Sequence, residues 1–167
     1  MSEEKEVKSA VGAYGSDYAF DEATGMDLRK IIQVLPHRSP FLLVDKVLWR
    51  DGLQSARGIK NLTGNEFFFE NHFGEDPEIP KPILIEIMAQ MGAAVMLDTP
   101  ENAGKLILFA SIDDVKFGKA PVPGDILDLR VELRSLRRGM GKMLAECYVD
   151  GEVRASGVLM FALADRD

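Results

Sequence analysis

Two side chains combine a reactive type with an unusual setting. His72 is one of only two histidines in the chain. It sits in a segment crowded with Phe67, Phe68, Phe69 and Phe73. An imidazole titrates near neutrality, so it can take up and release a proton under ordinary conditions. Glu86 is the only charge between Pro82 and Leu97, a run of otherwise apolar residues broken by Gln90. A carboxylate withdrawn from water costs several kcal/mol unless it is paired or protonated. Two accounts of Glu86 stay open at this level. One is an anion resting at a helix start, favoured there by about 0.3–1 kcal/mol. The other is an acid placed for chemistry. A capping box does not explain it, because Ile83 lies where a hydroxyl or amide cap is needed. Gln90 is four residues on, on the same helical face, within reach of a hydrogen bond to Glu86. A lone loop histidine is more often structural than reactive. A histidine, a carboxylate and the unpaired N–H groups of a helix N-terminus together supply a base, an acid and an oxyanion site.

The elements that would position these groups follow from pattern. Residues 1–25 are polar and glycine-interrupted and read as a flexible arm, and 26–167 as one domain. Asp27 caps a short helix to Leu35, ended by Pro36. Phe41–Trp49 and Leu53–Lys60 read as strands joined at Asp51-Gly52. Asn61–Pro80 is a long aromatic loop, of a length that often carries function. A helix follows to Leu97, with Pro82 at its first position. It is apolar on nearly every side, so protein must enclose it. Leu106–Phe117, Ile126–Leu136, Met140–Val149 and Glu152–Ala164 are strands, with turns at Arg138-Gly139 and Asp150-Gly151. One enclosed helix among antiparallel strands points to an α+β protein. Its simplest form is one sheet wrapped around one long helix, the hot-dog fold.

Composition narrows the function classes. A chain of 167 residues with net charge −7 lacks the basic balance of a nucleic-acid binder. The apolar run Pro82–Leu97 is shorter than the ~20 residues of a membrane span. The first residues, with Glu3, Glu4 and Glu6, do not read as a signal peptide. The single cysteine, Cys147, forms no internal disulfide and suits a reducing cytoplasm. Two histidines and one cysteine, far apart, match no common metal spacing, and no glycine-rich phosphate loop is present, so neither metal nor cofactor is expected.

Several motifs then fall in order. Leu35-Pro36-His37-Arg38 leads into Ser39-Pro40-Phe41-Leu42-Leu43-Val44-Asp45; Asn71-His72-Phe73 follows Asn65-Glu66; Glu86 begins Glu86-Ile87-Met88-Ala89-Gln90; and Pro121-Val122-Pro123-Gly124-Asp125 follows Phe109-Ala110-Ser111-Ile112-Asp113. From about Asp27 to Ala164 the chain resembles the β-hydroxyacyl-(acyl carrier protein) dehydratases of type II fatty-acid synthesis. The resemblance implies a hot-dog fold that forms a homodimer, possibly a trimer of dimers. It implies that His72 and Glu86 are catalytic and meet across the dimer interface, and that the substrate is an acyl carrier protein or coenzyme A thioester. His37 falls in the early motif and reads as structural. The chain departs from the family pattern at Asn71 (usually glycine), Gly74 (usually proline) and Lys81 (usually glycine). Lys81 occupies the position whose backbone amide approaches the thioester.

Further expectations concern the surroundings. Phe73, Ile83, Gln90 and Phe117 are candidates for a substrate tunnel, with Met88, Met91 and Met96 more naturally core. Lys116, Lys119, Arg137 and Arg138, with Lys142, are candidates for a patch that docks an acidic carrier protein. Two other functions fit the same fold: an acyl thioesterase, and a non-catalytic acyl-binding subunit.

Overall fold

The computed structural model describes residues 18–70 and 77–165. His72 and Phe73, like Asn71 and Gly74, lie outside the described residues.

Six strands form one antiparallel sheet: β1 (Lys46–Asp51), β2 (Ser55–Asn61), β3 (Leu106–Phe117), β4 (Ile126–Arg137), β5 (Met140–Val149) and β6 (Glu152–Ala164), in the spatial order β1-β2-β4-β5-β6-β3. The last four strands match the sequence reading closely. Their hairpins explain why. Arg138-Gly139 and Asp150-Gly151 both hold two successive positive φ angles, 51° and 77°, then 55° and 76°. That is the two-residue turn whose twist matches the strands it joins.

Helix α1 (Leu28–Val34) starts where Asp27 accepts a hydrogen bond from the Lys30 amide at 2.9 Å. Helix α2 (Lys81–Leu97) is the one long helix among the described residues, and it lies across one face of the sheet. Leu84 and every residue from Ile87 to Leu97 are buried. They meet Leu127 and Leu129 of β4, Met143 and Ala145 of β5 and Leu159 of β6 in a single core. A sheet wrapped on one helix is the hot-dog fold. Gly58 of β2 allows the close approach, since a Cβ there would stand 2.5 Å from Met91 Sδ and 2.6 Å from the Lys46 carbonyl oxygen. Cys147 is part of this core, and burial pushes its thiol up to about 12, which leaves it an inert apolar filler.

Several expectations change. Phe41–Trp49 is not one strand, because β1 begins at Lys46. Leu43 and Val44 are buried under α2 without strand pairing. Their apolar character records burial rather than a β-ladder. Pro82 is the second helical residue, after Lys81, with Pro80 as the cap. Phe67–Phe69 of the long loop form a 3-10 turn in which Phe68 and Phe69 join the core. Residues 18–25 of the expected arm lie against the sheet: Asp21 N–H donates to the Leu48 carbonyl at 2.9 Å, and Tyr18 stands over the Arg57 guanidinium. That guanidinium makes a buried pair with Asp128.

Candidate active site

The N-terminal half of α2 is fixed from several directions. Ile79 N–H donates to the Pro121 carbonyl at 3.1 Å, tying the helix entry to the Pro-Val-Pro-Gly loop. That loop is closed by Asp125, whose carboxylate accepts from Val122 N–H at 2.9 Å. At the other end Asn102 Nδ2 donates to the Met96 carbonyl at 2.9 Å, and Arg50 Nη1 donates to that of Asp98 at 3.2 Å. Helix ends leave such carbonyls without intrahelical partners.

Among the described residues, the helix start keeps a donor unused. Pro80 has no polar side chain to cap it, and Pro82 has no N–H. The amides of Ile83 and Leu84 turn back to the Pro80 carbonyl at 3.0 and 3.2 Å. Lys81 N–H makes no hydrogen bond among the described residues. Its ammonium stands 5.3 Å from the centroid of the Phe117 ring. Lys81 and Phe117, expected to shape the substrate site, therefore do lie together at the helix entry.

Glu86 is not enclosed as the apolar run around it suggests. Its side chain is 26% exposed, because the first two turns of α2 are only half covered while the remainder is buried. One of its oxygens, Oε1, accepts a hydrogen bond from Gln90 Nε2 at 2.8 Å, the contact that the four-residue spacing predicts. Gln90 does more than this. It is 1% exposed. Its Nε2 also donates to the Phe41 carbonyl at 2.8 Å, and its Oε1 accepts from Leu43 N–H at 2.9 Å. Both amide hydrogens are thus engaged. Gln90 joins Glu86 to the 41–43 loop and has no donor left for a ligand. Ile83 is partly buried against the core.

Sequence reasoning set His37 aside, and the structure brings it to Glu86. Its Nε2 lies 3.4 Å from Glu86 Oε1. No pattern in the sequence marked it, because only the structure shows that it lies in the segment Gln90 grips. Arg38 holds the backbone there, donating from Nη1 to the carbonyls of Leu35 at 2.8 Å and His37 at 2.7 Å.

The four expected docking cations do not form one patch in a single chain. All are exposed. Lys116 is level with Ser156 and Glu146 across the sheet, whereas Arg137 is level with Met140 and Ala162. Six residues along β5 separate the two levels, roughly 20 Å. Lys116 and Lys119 share the Phe117 end with Lys81; Arg137 and Arg138 sit at the opposite end.

Residues 35–157 match the model of the FabA-like domain. The chain belongs to the FabA-like family. The matched stretch starts at the Leu-Pro-His-Arg motif and contains His37, Glu86 and Gln90. The chain is 47% identical over 141 residues to a 3-hydroxyacyl-[acyl-carrier-protein] dehydratase FabZ of Herpetosiphon aurantiacus, covering 84% of this chain and 99% of that protein. It is also 47% identical over 137 residues to the protein of the same name from Caldicellulosiruptor saccharolyticus, covering 82% and 98%. Among solved structures, the dehydratase heterocomplex ApeI:P from Xenorhabdus doucetiae superposes with a TM-score of 0.71 at 19% identity, covering 81% of this chain and 91% of that one. A hypothetical thioesterase with coenzyme A from Streptococcus pneumoniae superposes with a TM-score of 0.54 at 13% identity, covering 71% and 85%. These two likenesses establish the fold of this FabA-like protein.

Gln90→Leu keeps the bulk and removes three hydrogen bonds. It leaves the Phe41 carbonyl and the Leu43 N–H unpaired, each at roughly 1–3 kcal/mol. Thermal unfolding is expected to show a clear fall in Tm. An unchanged Tm would mean that the 41–43 loop is held by other contacts.

Proposed function

We propose that this FabA-like protein removes water from β-hydroxyacyl thioesters to give trans-α,β-enoyl thioesters, with Glu86 as acid and His72 as base, in fatty-acid synthesis or a related pathway. The observation that carries the reading is the setting of Glu86: a carboxylate anchored through one oxygen, on the same helix start where Lys81 N–H has no partner among the described residues. Five residues separate them, ~7.5 Å along the helix axis. That is a span suited to a β-hydroxyacyl thioester, whose hydroxyl and carbonyl are held at once. Relatives 47% identical are named as 3-hydroxyacyl-[acyl-carrier-protein] dehydratases, which supports the same substrate class here.

The steps balance as follows. The thioester oxygen accepts the Lys81 N–H, and one such donor is worth about 2.7–4 kcal/mol as charge develops on the oxygen. The α C–H bond breaks and its proton goes to His72. The released electron pair forms the carbon–carbon double bond. The β C–O bond breaks, and the departing hydroxyl takes a proton from Glu86 and leaves as water. His72 then gives up its proton and Glu86 regains one, which restores the starting state. Hydration is the same path reversed. Phe73 follows His72 in sequence and, with Ile83 and Phe117, is the lining we assign to the acyl group.

The acyl carrier is the proposed partner and the cytoplasm the proposed compartment. The active unit is a dimer of this chain. β3 is the outermost strand of its side of the sheet, 12 residues long, with Leu108 53%, Phe109 46% and Ile112 42% exposed. A long apolar strand edge normally needs a partner, and a second β3 related by a two-fold axis would run antiparallel to the first. Such pairing sets Lys116 and Lys119 of one copy at the same end as Arg137 and Arg138 of the other. It brings the cations that a single chain holds at opposite ends to one end of the joined sheet. We assign His72 of one copy and Glu86 of the other to the same site.

The direct test follows loss of enoyl absorbance as a crotonyl carrier-protein thioester is hydrated. Wild-type protein is expected to turn over, and His72→Ala and Glu86→Gln each to lose about 10²–10⁴-fold. Release of free thiol without hydration would assign a thioesterase instead, and binding without either reaction would assign an acyl-binding subunit.

Leu108→Lys is expected to give monomers by light scattering and to abolish turnover. Arg138→Glu is expected to keep the dimer and raise KM for the carrier-protein thioester alone, leaving the coenzyme A thioester unaffected. An active Leu108→Lys monomer would remove the shared-site proposal.

A further inference from the structure

We infer that His37 is a positioning residue of the site: its Nε2–H, together with the Gln90 amide, holds Glu86 by Oε1 and so commits Oε2 to the substrate hydroxyl. The inference rests on the dehydratase reading and adds to it a second histidine and a division of labour between the two carboxylate oxygens.

Three observations converge. Both neighbours of the carboxylate approach the same atom, Gln90 Nε2 at 2.8 Å and His37 Nε2 at 3.4 Å from Oε1. No contact to Oε2 is found among the described residues. A carboxylate accepts through both oxygens, so two donors on one of them leave the other for a ligand. Second, the His37 ring faces Glu86 with a defined nitrogen. Its Nδ1 is buried and lacks a hydrogen-bond partner among the described residues. With the proton on Nε2, Nδ1 is a bare acceptor and Nε2 donates to Oε1, which accepts whether or not Oε2 carries the proton that leaves with the hydroxyl. The opposite tautomer would bury an unpaired N–H and aim a lone pair at the carboxylate. Third, the backbone on both sides of the ring is pinned. Arg38 caps the Leu35 and His37 carbonyls, and Gln90 grips Phe41 and Leu43. The imidazole is therefore carried on a fixed loop rather than a free one. The 3.4 Å separation is longer than the ~2.9 Å of a settled hydrogen bond. Catalytic hydrogen bonds are commonly loose before substrate arrives and tighten in the complex.

The role differs from structural filling in what it predicts. The experiment uses the full chain and the crotonyl carrier-protein assay. His37→Phe keeps a flat ring and loses the donor; His37→Gln places an amide N–H close to the position of Nε2. His37→Phe is expected to lower kcat about 10–100-fold with KM held within about twofold, as a misplaced acid does. His37→Gln is expected to restore most of the loss, and both are expected to match wild-type Tm. An undiminished kcat in His37→Phe overturns the inference, as does an equal loss in both variants accompanied by a raised KM. If His37→Phe does not fold, ¹⁵N NMR of the wild-type imidazoles decides. The inference expects the Nε2–H tautomer at His37 and a changed Nε2 shift in Glu86→Gln. An Nδ1–H tautomer, or a His37 signal indifferent to Glu86, overturns it. A wild-type protein without turnover would instead defeat the dehydratase reading, and the NMR result would still decide the pairing.

Discussion

The side chain of Gln90 is the constraint on which the site depends. A primary amide inside an apolar core is costly unless its hydrogen-bonding groups are used. Here the available partners are a backbone carbonyl, a backbone amide and a carboxylate, the first two contributed by one segment 47–49 residues before Gln90 and the third by the preceding turn of its own helix. Satisfying Gln90 therefore fixes three things together: the path of Phe41–Leu43, the depth at which α2 lies on the sheet, and the direction of Glu86. The fold brings these pieces near one another, and the amide sets their register. His37 is presented by the same loop, so a single buried polar residue places both groups that flank the carboxylate.

The strands after Leu106 were legible because each end is marked by local chemistry. Arg138-Gly139 and Asp150-Gly151 demand a turn whatever the rest of the chain does. Helix α2 was legible from its unbroken apolar run and its prolines. The segment before Lys46 was not. Phe41, Leu42, Leu43 and Val44 carry the composition of a strand, but their backbone is claimed by a side chain from a distant helix. No pattern within the segment records that. The same blindness hid His37. Its partner is 49 positions away, and in sequence it is only the third residue of a short Leu-Pro-His-Arg motif. Glu86 was visible as the one charge in an apolar run, yet the run overstated its burial, since its half-covered place near the end of a helix is a tertiary fact. The basic residues show the converse failure. Lys116, Lys119, Arg137 and Arg138 look like one cluster along the chain, and antiparallel pairing carries them to opposite ends of the sheet.

The exposed face and edge of β3 connect these observations to assembly. In one chain, a 12-residue strand ends the sheet with apolar side chains in water, Glu86 is half open and the cations are divided. The proposed two-fold pairing along β3 would cover the edge and bring the cations to one end of the joined sheet, and it would set a second copy beside the site. Several independent features thus call for the same partner, which is stronger support than any one of them gives.

The central claim is that this site adds and removes water across the α,β bond of an acyl thioester. Incubating the protein with a crotonyl carrier-protein thioester in ¹⁸O-labelled heavy water, and locating the isotopes by mass spectrometry, tests it most directly. The account predicts one deuterium at the α carbon and one ¹⁸O at the β carbon, with the thioester intact. ¹⁸O in the carboxyl group of released crotonate, or a thioester recovered without label, would contradict it.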